Sequence, residues 1–162
     1  MTTTRRMVLV GLGGFVVGAA LAVAVVLKTM PGMMIVVRPS RLGFEETVQA
    51  VQEGLKEEGW ASPGTIDLNA SMAKHGVTFG PRVRIVQLCK APYAKRVLEK
   101  HRHLAALMPC AIAVYEGDDG RVYVSKMNTG LMGRLFGGVV AEVMGGLVAR
   151  EEEAILREVA AE

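Results

Sequence analysis

The chain has 162 residues, 51% of them hydrophobic and 22% charged, with a net charge of +3. That length holds one domain and at most one appended segment, and the high apolar content excludes a disordered chain. Two cysteines are too few for a disulfide-stapled miniprotein or a four-thiolate zinc module.

Residues 1–6 form a tail that carries Arg5 and Arg6. From Met7 to Leu27 the chain then runs for 21 positions without a charged or amide side chain. As a helix this run is about 31 Å long, the thickness of a bilayer's hydrocarbon core. A helix is also the form in which a single span leaves no backbone polar group open to lipid. The run is read as a retained transmembrane anchor over 7–27, followed by a linker over 28–32 and a soluble domain over 33–162. A cleaved signal peptide is the alternative, with small-x-small sites at Ala20-Leu21-Ala22 and Ala22-Val23-Ala24. The apolar run, however, continues past both sites. Thr4-Arg5-Arg6-Met7-Val8-Leu9 resembles a weak twin-arginine signal, which points to a bacterial or archaeal source. Arg5 and Arg6 against Lys28 favour a cytoplasmic amino terminus and an extracytoplasmic domain. Gly11, Gly13 and Gly14 do not make a dinucleotide fingerprint, since its third glycine would fall at Val16 and no acidic residue follows at the ribose distance. Gly14 and Gly18 have the spacing of packed membrane helices, a pattern that the abundance of glycine in such helices also explains.

Setting aside Arg5 and Arg6 leaves 17 basic against 16 acidic residues in the soluble part, too even for a nucleic-acid-binding surface. After Pro31, Met33 to Val37 is an apolar run of strand length, stopped by Pro39. Phe44, Val48, Val51 and Leu55 recur at helical spacing, with Glu45 and Glu46 in the first turn and Gly59 at the end. Gly64 to Leu68 predicts a second strand, followed by a short helix or turn from Met72 to His75. Val83 to Cys89 predicts a third strand between Gly80-Pro81 and Pro92, and Pro92 suits the first turn of a helix reaching about His101. Ala111 to Glu116 and Arg121 to Ser125 flank Gly117-Asp118-Asp119-Gly120 as a hairpin. Thr129 is placed to cap a long, glycine-rich helix from Gly130 to Ala149, and Arg150 to Glu162 reads as a charged helix with Ala154, Ile155 and Val159 inward. The element order predicts an α+β domain, with one mainly antiparallel sheet packed by helices and preceded by a single transmembrane helix.

Four segments also carry a family resemblance. They are Gly43-Phe44-Glu45-Glu46-Thr47-Val48, Cys89-Lys90-Ala91-Pro92-Tyr93-Ala94, Leu107-Met108-Pro109-Cys110, and Ser125-Lys126-Met127-Asn128-Thr129-Gly130-Leu131-Met132-Gly133. Over roughly residues 33 to 157 the chain resembles the uncharacterised family catalogued as domain of unknown function 302. It departs from that family's Cys-Asn-Pro motif by one extra residue between Cys89 and Pro92. The resemblance implies a compact α+β fold able to self-associate and carries no established activity.

Cys89 ends a strand just before a helix start, where backbone N–H groups favour a thiolate. Cys110 opens the following strand, so the two thiols are candidates for inert packing, for a disulfide or redox pair, or for a metal or haem site. Neither Cys-x-x-Cys nor Cys-x-x-Cys-His occurs, which removes the standard redox and c-type haem motifs. Ten methionines are many for this length. Met127 and Met132, with Met144, gather around the last apolar helix as core filling or as part of a soft-metal or hydrophobic-ligand pocket. The candidate ligand-binding residues are therefore Cys89, Cys110, Met127 and Met132. His101 and His103 stand two apart at a helix tail, a spacing that separates their rings, and His75 before Gly76 belongs to a helix end. The six glycines between Gly130 and Gly146 would each destabilise a helix by about 1 kcal/mol unless close packing compensates. They admit a neighbouring helix, a second subunit or a flat ligand. No catalytic constellation or metal set is identified. The sequence predicts a membrane-anchored, non-enzymatic binding or assembly module, with a thiol-dependent redox or metal/haem-binding protein as the alternative. Expected partners are the membrane, a second copy, and a hydrophobic ligand or membrane protein.

Overall fold

The computed structural model describes the backbone of residues 2–160 and the side chains of residues 18–160. Contacts divide the chain into two compact units, one ending at Met34 and the other beginning at Ile35. The first is the helix α1 (Thr2–Met34). It runs through Pro31 to Met34, so the expected linker over 28–32 is helical rather than irregular. Leu21, Val23, Val25, Val26 and Leu27 are all exposed on it. Positions 7–17 of the span read from the sequence lie outside the residues whose side chains are described. Among the described residues, no helix is long and apolar enough to cross a membrane.

The second unit is built on β1 (Ile35–Pro39), β2 (Thr65–Asp67), β3 (Val83–Leu88), β4 (Cys110–Glu116) and β5 (Val122–Met127). They form one sheet in the order β1-β5-β4-β3-β2, with every neighbouring pair antiparallel. This is the expected α+β fold with an antiparallel sheet. Strand alternation sends Val86, Leu88, Ile112, Val114 and Val124 to one face, where the helices bury them.

α2 (Phe44–Glu57) lays Phe44, Val48, Val51 and Leu55 into that core, as their spacing predicts. Glu46 reaches back to accept the Gly43 N–H at 3.1 Å, and Gly59, at φ +69°, ends the helix. The short α3 (Leu68–Ala73) is capped by Asp67, whose carboxylate accepts the Ala70 N–H. α4 (Ala91–Leu98) starts with Pro92 in its first turn but stops before His101, and a 3-10 turn follows over Arg102–Leu107. That turn brings the rings of His101 and His103 together edge to face, centroids 5.8 Å apart, where helical spacing would have separated them. The β4–β5 hairpin closes through Gly117 N–H to the Arg121 carbonyl at 2.8 Å. Asp119 serves the turn itself, accepting from the Arg121 N–H and the Tyr123 hydroxyl.

The single long helix expected over Gly130 to Ala149 is instead broken. α5 (Thr129–Phe136) ends at Gly137, whose φ of +66° no helix interior tolerates. The chain turns back through α6 (Gly138–Val140) into a π-helical stretch over Ala141–Val148, which continues as α7 (Ala149–Ile155). The charged helix expected to reach Glu162 thus ends at Ile155, and tight turns then carry Ala160 to a bridge with Ser40. Nor does Thr129 cap α5: Asn128 does, accepting the Leu131 N–H at 3.0 Å.

The glycines find their compensation where the two arms cross. A Cβ added at Gly133 would lie 2.7 Å from the Gly145 Cα and 3.2 Å from the Ala141 Cα, so backbone meets backbone with no room for a methyl group. Gly133→Ala should therefore lower stability by about 1–3 kcal/mol as the arms are forced apart. At Gly146 the nearest atom to an added Cβ stands 3.8 Å away, and Gly146→Ala should be neutral or stabilising by up to about 1 kcal/mol. Urea denaturation of both variants checks the contrast, and equal effects would contradict the crossing.

Candidate functional site

The four candidate residues gather beneath the helices, in two places. Cys89, just past the end of β3, and Cys110, the first residue of β4, both line an apolar cavity closed by Trp60, Tyr93, Met108 and Met144. Met127 and Met132 line a second cavity with Phe136, and Val97, Met108 and Met144 border both. Each holds about 20 Å³, the room of a single water, and apolar walls keep such a space dry. Flexible methionine side chains fill the irregular gap between α4, α5 and the π stretch. Both cysteines are free. Burial pushes the Cys110 thiol up to about 11, with the charge of Glu152 and the neighbouring Cys89 adding to it. At neutral pH Cys110 is therefore a protonated, weakly nucleophilic thiol.

Two polar clusters escape the sequence reading, and both depend on α7. Glu152 is 1% exposed and Lys126, on the helix-covered face of β5, is 5% exposed. Their charges meet at 2.9 Å, and the Thr129 hydroxyl donates to the same carboxylate at 2.9 Å. Glu153 approaches Lys126 at 3.5 Å and binds Arg38 at 2.6 Å. Burial pushes Glu152 up, and Lys126 and Thr129 pull it only part of the way back. One residue earlier, Glu151 accepts from Trp60 Nε1 and Lys90 Nζ, each at 2.8 Å, and from the Tyr93 hydroxyl at 2.5 Å. Its burial works against ionisation, but these three donors outweigh it and hold the carboxyl below its ordinary value. The Lys90 ammonium stands 5.6 Å from the Trp60 ring centre and 5.1 Å from that of Tyr93 and also reaches the Glu58 carbonyl at 2.8 Å. This knot ties the β3–α4 junction, where Cys89 sits, to α7. A signal was present in the sequence: Lys126 shares the strand parity of Val122 and Val124, and Glu152 falls between Val148 and Ile155 on one helical stripe. A charge at such a position must find a buried partner.

The opposite face of the sheet has a different character. Alternation sends Ile35, Val37, Ile66, Val83, Ile85, Gln87, and then Ala111, Ala113, Tyr115, Tyr123, Ser125 and Met127 outward, and none is charged. Ile35 and Val37 are 49% exposed and Ile66 36%. The small Ala111, Ala113 and Ser125 leave a hollow of about 380 Å³, bordered by Ile35, Ile85 and Leu107. Cys110 and Met127 reach it from one end, as do Lys126 and Glu152. Tyr115 and Tyr123, paired in register and stacked with centroids 5.5 Å apart, stand at the other end. Among the described residues, no group of three or more His, Cys, Asp or Glu is arranged to hold a metal.

A family model described as domain of unknown function DUF302 matches residues 36–161. Among solved structures, the chain resembles the crystal structure of an uncharacterised conserved DUF302 protein from Bacillus stearothermophilus, at 19% identity and a TM-score of 0.68. That similarity covers 78% of this chain and 98% of the other. No curated protein matches.

The buried ion pair yields a test. Lys126→Met strands the Glu152 carboxylate away from water and should cost about 3–5 kcal/mol at neutral pH. Glu152 has a raised pKa in the folded state, so protonation favours folding. Its stabilising contribution is complete below the unfolded-state value and is lost as pH rises through the folded-state value. The deficit of Lys126→Met should accordingly shrink as pH falls into the acid range. Urea denaturation across a pH series reads this, and a deficit constant with pH would show that Glu152 is not the stranded group.

Proposed function

The chain belongs to the DUF302 family, whose description assigns no activity, and we propose that it is a membrane-tethered, non-enzymatic assembly module working through the outer face of its sheet. The observation that carries this reading is the absence of charge from every outward strand position. An antiparallel sheet that faces water on one side ordinarily alternates apolar inward with polar outward. Here Val, Ile and Leu dominate the inward side and Ile, Val, Ala and Tyr the outward one, and a contiguous apolar patch of this kind marks an interaction surface. The tether rests on the uncharged run from Met7 to Leu27, and Arg5 and Arg6 against Lys28 favour an extracytoplasmic domain. The reading asks for no catalytic group.

A second reading has one observation in its favour: two free thiols border one cavity. About 20 Å³ admits no haem, and among the described residues no group of three or more His, Cys, Asp or Glu is arranged to hold a metal. The chemistry that two thiols supply by themselves is thiol–disulfide exchange, in which both thiols lose their protons and two electrons pass to a disulfide-bearing partner. The raised Cys110 thiol opposes it. Cys89→Ser and Cys110→Ser, assayed for folding and for reduction of a model disulfide, decide the matter. Loss of stability alone in both variants would mean that the thiols are packing.

The main reading predicts that the full chain, produced in bacterial cells, resists carbonate extraction from the membrane fraction and migrates in native gels as a complex larger than one chain. Ala113→Lys should leave its membrane fractionation and circular dichroism unchanged and collapse that complex. A complex indifferent to Ala113→Lys would defeat the assignment of the sheet face.

A further inference from the structure

Building on that assignment, we infer that the occupant of the outer sheet face is a second copy of the same chain, packed face to face about a two-fold axis perpendicular to the strands. Three features of the face argue for it. The first is charge: identical copies bring identical residues together, and like charges would oppose them, but no outward strand position carries any, and the charges that border the face, Lys126 with Glu152 and Asp119 with Arg121, are paired within each copy.

The second is relief. The register pairs Tyr115 with Tyr123 and Ala113 with Ser125 on adjacent rows, so a ridge of two stacked rings borders a floor of small side chains. Ala111 and Met127 lie one step beyond that floor, where Leu107 and Pro109 form the far rim of the hollow. A two-fold axis perpendicular to the strands, passing through the Ala113–Ser125 row, reverses the order of the rows without exchanging the strands. Each copy's tyrosine ridge then faces the other's Ala111 and Met127, and each hollow receives two aromatic rings. An axis along the strands would set ridge against ridge and leave both hollows empty. The face is thus self-complementary in the isologous sense.

The third is area. The five strands, from three to seven residues long and spaced about 4.8 Å apart, present about 430 Å² of projected face per copy. Two copies would cover about 850 Å², just above the size of most chance contacts. Sheets packed this way lie about 10 Å apart with interdigitating side chains.

The full chain purified in detergent should show twice the protein mass of one chain by light scattering, and Ala113→Lys should halve it without altering circular dichroism. A dimer that survives Ala113→Lys is held by α1 or another surface and overturns the inference. So does a monomeric purified chain; if the native-gel complex in membranes still collapses with Ala113→Lys, the face then serves a different protein and the functional reading stands. Cross-linking provides a measure independent of that variant's folding. In a chain whose native Cys89 and Cys110 are replaced by Ser, copies carrying Ala111→Cys and copies carrying Tyr115→Cys, mixed and treated with a short bis-maleimide, should link to each other several-fold faster than either links to itself, with the linked peptides located by mass spectrometry. Faster self-linking of the Tyr115→Cys chains would establish ridge-on-ridge packing and reject the proposed axis.

Discussion

The second half of the domain is organised by one carboxylate deprived of water. Glu152 projects from α7 into the layer between the helices and β5, where Lys126 and Thr129 both bond to Oε2. A charge in that position tolerates little displacement. A shift of one residue along a helix turns a side chain by about 100°, enough to remove Glu152 from both partners. The segment leading into α7 must therefore arrive at the correct phase. It does so as a π-helical stretch whose Gly145 lies against Gly133 of α5. Close approach of the two backbones and burial of the ion pair are thus aspects of a single constraint. The glycines that weaken a helix in isolation allow the crossing that positions its charge.

The same constraint explains why Glu151 and Glu153 are both engaged. Consecutive residues on a helix fan out around its axis, so three successive glutamates address three directions. Glu151 meets Trp60, Lys90 and Tyr93, Glu152 meets Lys126, and Glu153 meets Arg38. α7 is joined in this way to the β3–α4 junction, to β5 and to the edge strand β1. Its charges perform the attachment that apolar side chains perform for α2. The outcome reverses the ordinary amphipathic sheet. Charges at Arg38, Arg84 and Lys126 occupy the helix-covered side and are paired there, while no strand residue pointing to the other side is charged.

Much of this fold is legible in the sequence where a pattern is local. The Phe44–Leu55 stripe, the glycine-bounded hairpin and the strand β3 between prolines each follow from spacing or turn chemistry that needs no distant partner. The break at Gly137 does not. In a stretch with six glycines no single one stands out, and what selects Gly137 is the crossing of Gly133 and Gly145, which sequence distance conceals. Thr129 misleads for a related reason. Threonine before an apolar helix is a sound cap, but Asn128 precedes it with a stronger one, and the buried Glu152 claims the Thr129 hydroxyl. Of the candidate site, Cys89 and Cys110 do meet at one cavity and Met127 and Met132 at its neighbour. The sequence cannot state a volume, and volume decides what a cavity can hold.

The outer face shows why strand patterns deserve to be read on both parities. A strand such as Cys110-Ala111-Ile112-Ala113-Val114-Tyr115 passes for an ordinary half-buried strand if attention rests on Ile112 and Val114. The intervening alanines and tyrosine carry the further information that nothing on the other side was selected for water. A sheet covered on one face within its own chain and uncharged on the other is what the proposed second layer would complete, since folds commonly bury both faces of a strand that is apolar on both. An interface of about 850 Å² is modest for two freely diffusing proteins. Confinement raises the effective concentration of a second binding event without any new contact. On the proposed function, a membrane tether and a weak, self-complementary face would reinforce each other: the tether would supply proximity that the small face lacks, and the face the orientation that a tether alone does not impose.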